Sequence, residues 1–578
     1  VGYHKAVTLP TTAHTYKSNN SMSSRSSRRS SRARRGSGEI VAPGYGTTAD
    51  VQKLQKDLGG TLPVNAVTAM LRSEGRGIRG ASDPDTTTTA QTSSAWADFI
   101  HDEGVGGTGV LGLAGSSDEP ASKKQKTDDS NAADSQEQSN YDLSVLVPSK
   151  KKAPTGTLVQ CGTLDSTVVG RKAIKSTETA VYHLNVPTSL LPKVAIAQVC
   201  TSCNAAHIIA IDRANQAYGW GRNEALCLGE EVGESKVIPT PQIIASHIQT
   251  AALGKSHTIF LQLDGSLHAM GQNKSGQCGW RQNVKSSGSL KVCQVSNKDV
   301  KFARIACGED FSVALDEEGI LYTSGSSEFG QLANGETGEY FVSANKLAYA
   351  NSYGFADRTI FHQSAKDSSR NDQMKKTTQI TQEIRLQDVA CGKHFAIAVE
   401  APRENGSATR VFSWGSGNYG CLGHGRQQDE YYPRMVEAMP MGLVGTKIAA
   451  GSTCSLVLTS NGHVYYWGQH QSSKDAVMKP QLVEALANNQ HDVKHIGSGS
   501  SSVVCSTSLG STVVWGQGPY GELGLGSKKS SSKPAFVETL EGIKVLDLAC
   551  GQGSVVYVVE EEKNLPALDT AAVETALG

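Results

Sequence analysis

One unit recurs six times in the second part of the chain, and it constrains the fold more than any other feature. Each copy opens with an apolar strand, turns tightly, returns along a second strand ending in Gly, and runs into a Gly-rich loop. The copies begin at His207, His257, Phe311, Phe395, Cys454 and Ser502; the first two read HIIAIDRANQAYGWGRNEALCLG and HTIFLQLDGSLHAMGQNKSGQCG. From the strand-opening residue to the closing Gly the count is 15 in five of the six copies. The exception, 395–415, carries an insertion around 402–409. Short alternating runs joined by turns such as Asp264-Gly265 and Asn461-Gly462 are the pattern of antiparallel hairpins.

The closing glycines fall at 221, 271, 325, 415, 468 and 516, a period of 48 to 54 residues apart from one interval of 90. A β-rich period of about 50 indicates propeller blades of four strands each. The ends of the array set the blade number. ACGQGSVVYVV at 549–559 starts a seventh unit and stops after its first hairpin strand. GTLVQCGTLDSTVVG at 156–170 supplies the missing half, with Cys161-Gly162 where Trp-Gly stands elsewhere. A ring must close, and sharing one blade between the termini removes both exposed edges. The expected fold is therefore all-β: a seven-bladed β-propeller at 156–560, closed by a blade shared between its N- and C-terminal segments. A long insertion is expected at about 348–384, and a C-terminal tail at 561–578.

Residues 1–155 differ in character and read as a disordered, basic, low-complexity extension. They contain no Cys and pass through SMSSRSSRRSSRARRGS at 21–37, TTTTAQTSS and SKKQKTDDSNAADSQEQSN. Such sequence buries too little apolar surface to offset chain entropy. Short runs near 51–58, 63–74 and 96–100 have helical spacing, as transient helix or as a segment that folds on a partner. The whole chain carries 55 basic and 55 acidic residues, which excludes a wholesale polyanion binder and makes any basic site local. Arg25, Arg28, Arg29, Arg32, Arg34 and Arg35 are the candidate nucleic-acid contacts, sequence-independent and salt-sensitive. The serines among them suit basophilic kinases, each phosphate adding about −2 charge. Lys123, Lys124 and Lys126 are nuclear-import candidates, with a second basic cluster at 150–152.

All 12 Cys lie between Cys161 and Cys550 at irregular spacing, which favours a reduced cytosolic or nuclear chain. No apolar stretch approaches the ~18 residues of a membrane span, so no membrane partner is expected. The first residue is Val, so the chain is expected to continue upstream. Cys200-Thr-Ser-Cys203 has metal-ligand spacing without a second pair, and Cys307, Cys391 and Cys550 recur in strand register as small core residues. No metal site is expected. His207 and His257 occupy a position that holds Phe, Cys or Ser in other copies, which marks packing. No nucleophile–base pair or phosphate loop stands out, so neither enzymatic activity nor a cofactor is expected.

The loops GRNEALCLG (221–229), GQNKSGQCG (271–279), GSGNYGCLG (415–423) and GQGPYGELG (516–524) resemble the regulator of chromosome condensation repeat. The preceding turns ACGEDF, ACGKHF and ACGQGS fit the same family, whereas the WD and kelch patterns do not recur. LVQCGTLDSTVVGRK at 158–172, SEFGQLANGETGEYFVSANKL at 327–347, the long insertion and the basic extension resemble the branch of the second regulator, the telophase-disk mitotic protein. Gly-Trp-Arg occurs once, at 279–281, so the Trp-based light sensing of the family's plant UV-B receptor is not implied.

The resemblance implies binding of small GTPases and guanine-nucleotide exchange, with action in mitosis. In the founding member, acidic and His residues in the hairpin-opening turns compete for the phosphate and magnesium site of Ran. The matching residues here are Glu309, Asp310, Lys393 and His394, and the two carboxylates are expected to project from the rim. Lys255-Ser256 and Ser452-Thr453 do not reproduce the founder's acidic set, which counts against Ran, and the resemblance to the second-regulator branch implies Rac- or Ral-type GTPases ahead of it. The implied location is the nucleus, mitotic chromosomes and spindle, and also the cytoplasm, with chromatin or microtubules met by the extension. The competing readings are a non-catalytic protein-interaction scaffold and a chromatin-binding module without exchange activity.

Overall fold

The structure is a computed structural model that describes residues 141–147, 153–163 and 183–568, the last span with short gaps of which 365–376 is the longest. The sequence before Tyr141, including the Arg tract and the Lys123, Lys124 and Lys126 cluster, lies outside the described residues.

Seven antiparallel sheets surround a central channel. The first blade comprises Ile196–Cys200, His207–Asp212, Ala217–Arg222 and Val237–Ala245, paired in that order from the channel outward. Blades two to six repeat the plan. Each innermost strand packs on the next, and the last, Val545–Cys550, packs on the first, Ile196–Cys200. In the closing blade Thr157–Thr163 inserts between Ser554–Val559 and His183–Ser189. Gly162 pairs with Ser554 there, as Gly221 pairs with His207 and Gly325 with Phe311.

The repeat signature has a steric cause. Gly162 and Gly221 sit at φ +98° and +103°. A Cβ on Gly221 would lie 2.6 Å from the Ala206 carbonyl oxygen and 2.8 Å from the Cα of His207, backbone atoms with nowhere to go. In several blades the residue before the closing Gly locks the blade to the preceding one. Trp467 Nε1 donates to the Cys421 carbonyl at 2.7 Å, and Trp414 Nε1 to the Gln331 carbonyl at 3.0 Å. In the closing blade the Cys161 thiol lies 3.1 Å from the Glu522 carbonyl. Hydroxyls one strand inward add a second lock: Thr258, Ser312 and Ser455 donate to the carbonyls of Cys227, Gln277 and Cys421. Each such bond is worth about 1 kcal/mol net, and leaving the buried carbonyl unpaired would cost more.

Three expected boundaries move. Ser352–Ala356, inside the stretch read as an insertion at 348–384, is the outer strand of blade three and pairs with Leu321–Gly325. Without it that blade would have no fourth strand; five residues amid polar sequence leave too short a pattern to read. The true additions flank it: a hairpin of Glu339–Ser343 and Lys346–Tyr349, and the strands His362–Ser364 and Thr377–Gln379, which extend blade four to six strands. The 561–578 tail is not wholly separate either, since Ser189 and Leu568 donate to the carbonyls of Pro566 and Ser189. Nor does the extension run to 155: residues 141–147 lie on the propeller, and Leu146 is fully buried.

The channel encloses about 750 Å³. Each inner strand contributes a bulge residue to its wall, among them Arg304, Asp388, Lys447, His495 and Asp547. The turn opening blade one, 201–206, is longer than the others and folds into the neck. There Asn204 Nδ2 donates across the ring to the Gly392 carbonyl of blade four, at 3.1 Å. The opposite mouth carries Val145.

Candidate partner-binding face

The turns that open the hairpins meet around the plugged neck and hold one another by backbone bonds. Lys255 N donates to Glu309 O at 3.2 Å, Glu309 N to Lys393 O at 3.0 Å, and Gln552 N to Ala205 O at 3.0 Å. This belt fixes the residue after each turn Gly: Lys255, Glu309 and Lys393 in three successive blades. Their charges alternate, and the side chains converge. Lys255 Nζ lies 2.6 Å from Glu309 Oε1; Lys393 Nζ and His394 Nε2 lie 3.7 Å and 3.2 Å from Oε2. The Phe329 ring packs 4.8 Å from that of His394, centroid to centroid.

The Glu309 side chain is only 4% exposed, whereas Lys255, Lys393 and His394 are 36%, 33% and 26% exposed. Burial works to raise the Glu309 pKa, but the Lys255 hydrogen bond and charge, with His394 and Lys393, outweigh it and hold it below the usual carboxylate value. The carboxylate therefore does not project from the rim as expected; the belt turns it sideways into its neighbours. What faces solvent is the basic side chains. Asp310 is half-buried and accepts from Gln277 Nε2 at 3.3 Å. Of the four expected residues, three meet in one cluster, and Lys255 completes it. The signal for Lys255 was present in the sequence: the second turn residues read Lys, Glu, Lys in consecutive copies.

The other chemical candidates are interior. His207 Nε2 lies 2.9 Å from Thr258 Oγ1, and His257 Nε2 lies 2.9 Å from Ser312 Oγ. Each imidazole thus reaches the hydroxyl of the next blade, and burial pushes both pKa values down to about 3. All twelve cysteines are free and buried. Burial raises the Cys200 and Cys203 thiols to about 12, which leaves them protonated and poor nucleophiles. Among the described residues no group of three or more His, Cys, Asp or Glu is placed to hold a metal ion.

Seven blades, a shared closing blade and Gly-rich loops keyed to the next blade define a closed propeller of the condensation-regulator type. The profile of the RCC1-like domain matches residues 157–557, and the chain belongs to that family. Within it the chain lies on the RCC2 branch. The RCC2 homolog of Xenopus laevis is 31% identical over 421 residues, spanning 70% of this chain and 78% of the relative. Human RCC2 is likewise 31% identical, over 70% and 77% of the two chains. Among solved structures, Prp20p of Saccharomyces cerevisiae matches with a TM-score of 0.52 at 18% identity, over 74% of this chain and 95% of that one. At that identity the likeness is one of fold.

Proposed function

We propose that this chain is a small-GTPase-binding propeller, that it takes Rac- or Ral-type GTPases ahead of Ran, and that it acts in mitosis. The reading rests on the Lys255, Glu309, Lys393 and His394 cluster. One buried carboxylate holds three basic side chains in a fixed array, so less side-chain entropy is lost when an acidic surface docks. Kinship supports the reading: the chain lies on the RCC2 branch, and the Prp20p structure is described together with binding to Gsp1p and histones. Its proposed location is the nucleus, mitotic chromosomes and spindle, with the extension contacting chromatin or microtubules. Deleting 21–37 is expected to flatten the salt dependence of nucleosome binding and leave GTPase binding intact; an unchanged slope would remove the arm from the electrostatic footprint.

One observation favours a second reading, a scaffold that binds without promoting exchange. Among the hairpin-opening turns Glu309 and Asp310 are the only acidic residues, and Glu309 is committed to its three neighbours. Both readings are tested by titrating wild type and a Lys255→Glu/Lys393→Glu variant against nucleotide-free Rac-, Ral- and Ran-type GTPases. The variant is expected to bind at least roughly tenfold more weakly, ~1.4 kcal/mol, and to unfold cooperatively at a lowered midpoint, because Glu309 is left buried beside like charges. Unchanged affinity for a GTPase that does bind would place the interface elsewhere. Release of labelled nucleotide then separates exchange from scaffolding, and binding to none of the three leaves the scaffold.

A further inference from the structure

The one interruption of the hairpin repeat, around 402–409 in blade four, coincides with the place where 141–147 touches the propeller. Asp142 N donates to the Pro402 carbonyl at 2.8 Å, and Tyr141 forms an antiparallel bridge with Arg403. These contacts follow the strand Phe395–Glu400, so they lie on the face away from Glu309. The other blades make their corresponding turns without such a platform.

The pocket for the phenol belongs to the propeller alone. Glu400 is 1% exposed; Arg410 Nη2 lies 2.6 Å from its Oε1, Arg410 Nε 2.8 Å from its Oε2, and Arg403 Nη2 2.8 Å from its Oε1. Burial works to raise the Glu400 pKa, but Arg410, Tyr141 and Arg403 outweigh it and keep the group ionised. The Tyr141 hydroxyl sits 2.8 Å from Glu400 Oε1 and 2.8 Å from the Glu383 carbonyl, under the Arg403 guanidinium at 5.4 Å from the ring.

The segment then makes one 3-10 turn, Leu143–Val145, capped by Asp142, whose Oδ1 accepts from Ser144 N at 3.0 Å. At the far end Arg304 Nη2, from the channel wall, donates to the Val145 carbonyl at 2.7 Å. Leu146 is fully buried, while Val145 and Val147 remain 37% and 58% exposed. Recognition thus uses one phenol, two main-chain bonds and one aliphatic side chain. These are the contacts of a short linear peptide, held here by its covalent tether.

We infer that this face, away from Glu309, is a peptide-recognition site, filled in cis by 141–147 and open to a partner's short segment of the same chemistry when the strap lifts. The chemistry required is a phenol head, an acidic residue next to it to cap the turn, and an aliphatic residue five positions after the phenol. A short tether supplies the cis segment at an effective concentration of order millimolar, so it competes with any trans ligand. The trans ligand binds with apparent affinity reduced by the fraction of chains whose strap is seated. This inference is independent of the GTPase reading, which concerns the opposite face.

The test uses the full chain with the strap disabled by Tyr141→Ala and Leu146→Asp, and a labelled peptide of residues 139–148, SNYDLSVLVP. Fluorescence anisotropy is expected to show at least about tenfold tighter binding to the disabled chain than to wild type. A peptide with Asp in place of its Leu146 equivalent should lose at least as much. Leu146→Ala is a milder second variant that should give the same ordering if the double variant melts early. Equal affinity for disabled and wild-type chains, or no binding to a disabled chain that melts like wild type, overturns the site. So does hydrogen exchange showing the Asp142 and Val145-to-Val147 amides of wild type protected as long as the core strands, because a strap that never lifts admits no partner.

Discussion

Deleting residues 156–163 is expected to destabilise the propeller by about 5 kcal/mol or more, while deleting 1–140 leaves its stability unchanged. The strand Thr157–Thr163 hydrogen-bonds on both sides, to Ser554–Val559 and to His183–Ser189. Leu158, Val159 and Cys161 are fully buried, and at about 1.5–3 kcal/mol for each large apolar side chain the lost burial alone reaches that range. Two sheet edges would also open to solvent and to other chains. Residues 1–140 precede the strap at Tyr141, so their removal leaves every contact among the described residues of the ring and of the strap in place. Denaturant midpoints for the two truncations check this, and equal midpoints would mean that the ring closes without its shared strand.

Acidification is expected to destabilise the chain from near pH 6.5, well above the range in which ordinary exposed carboxylates titrate. Burial lowers the folded pKa values of His207 and His257 to about 3; burial, with Arg434 and Arg426 nearby, lowers His424 to about 3; burial and Lys447 lower His495 to about 4. The unfolded chain protonates these imidazoles near ~6.5, so their contribution is full above that pH and is lost as pH falls toward the folded values. Burial raises Glu522 to about 7 and Asp547 to about 6, which acts in the opposite sense. The folded state holds those two protons more tightly, and their contribution is lost as pH rises through 6 to 7. Near pH 5 the balance is an uptake of roughly two protons on unfolding, or ~2.7 kcal/mol per pH unit. Urea unfolding at pH 7 and pH 5 measures it. His207→Gln should reduce the slope by about one proton, and a flat profile between the two pH values would refute the burial of neutral imidazoles.

Much of the fold was legible because its determinants are local. A regular hairpin joins residues fourteen positions apart, and a closing Gly is required wherever the returning strand passes over backbone, as at Gly162 and Gly221. Even the shared closing blade followed from pattern, because Cys161-Gly162 repeats Trp-Gly in register. The outer strand Ser352–Ala356 escaped notice because outer strands face solvent and carry little alternation.

The candidate sites divided differently. Sequence alone determined the blade number, the strand register, the closing blade and which turns share a face, all consequences of a repeated local unit. It placed Glu309, Lys393 and His394 on one face without showing that Glu309 would be buried beneath Lys255 and His394. Only the tertiary structure decided that, because the neighbours come from the two flanking blades and the carboxylate's orientation depends on the backbone belt joining their turns. The same holds for Asn204 reaching Gly392 across the neck, and for Tyr141 reaching Arg403. These two pairs are separated by 188 and 262 residues along the chain, and no local periodicity records them; ring closure alone brings them within hydrogen-bonding distance.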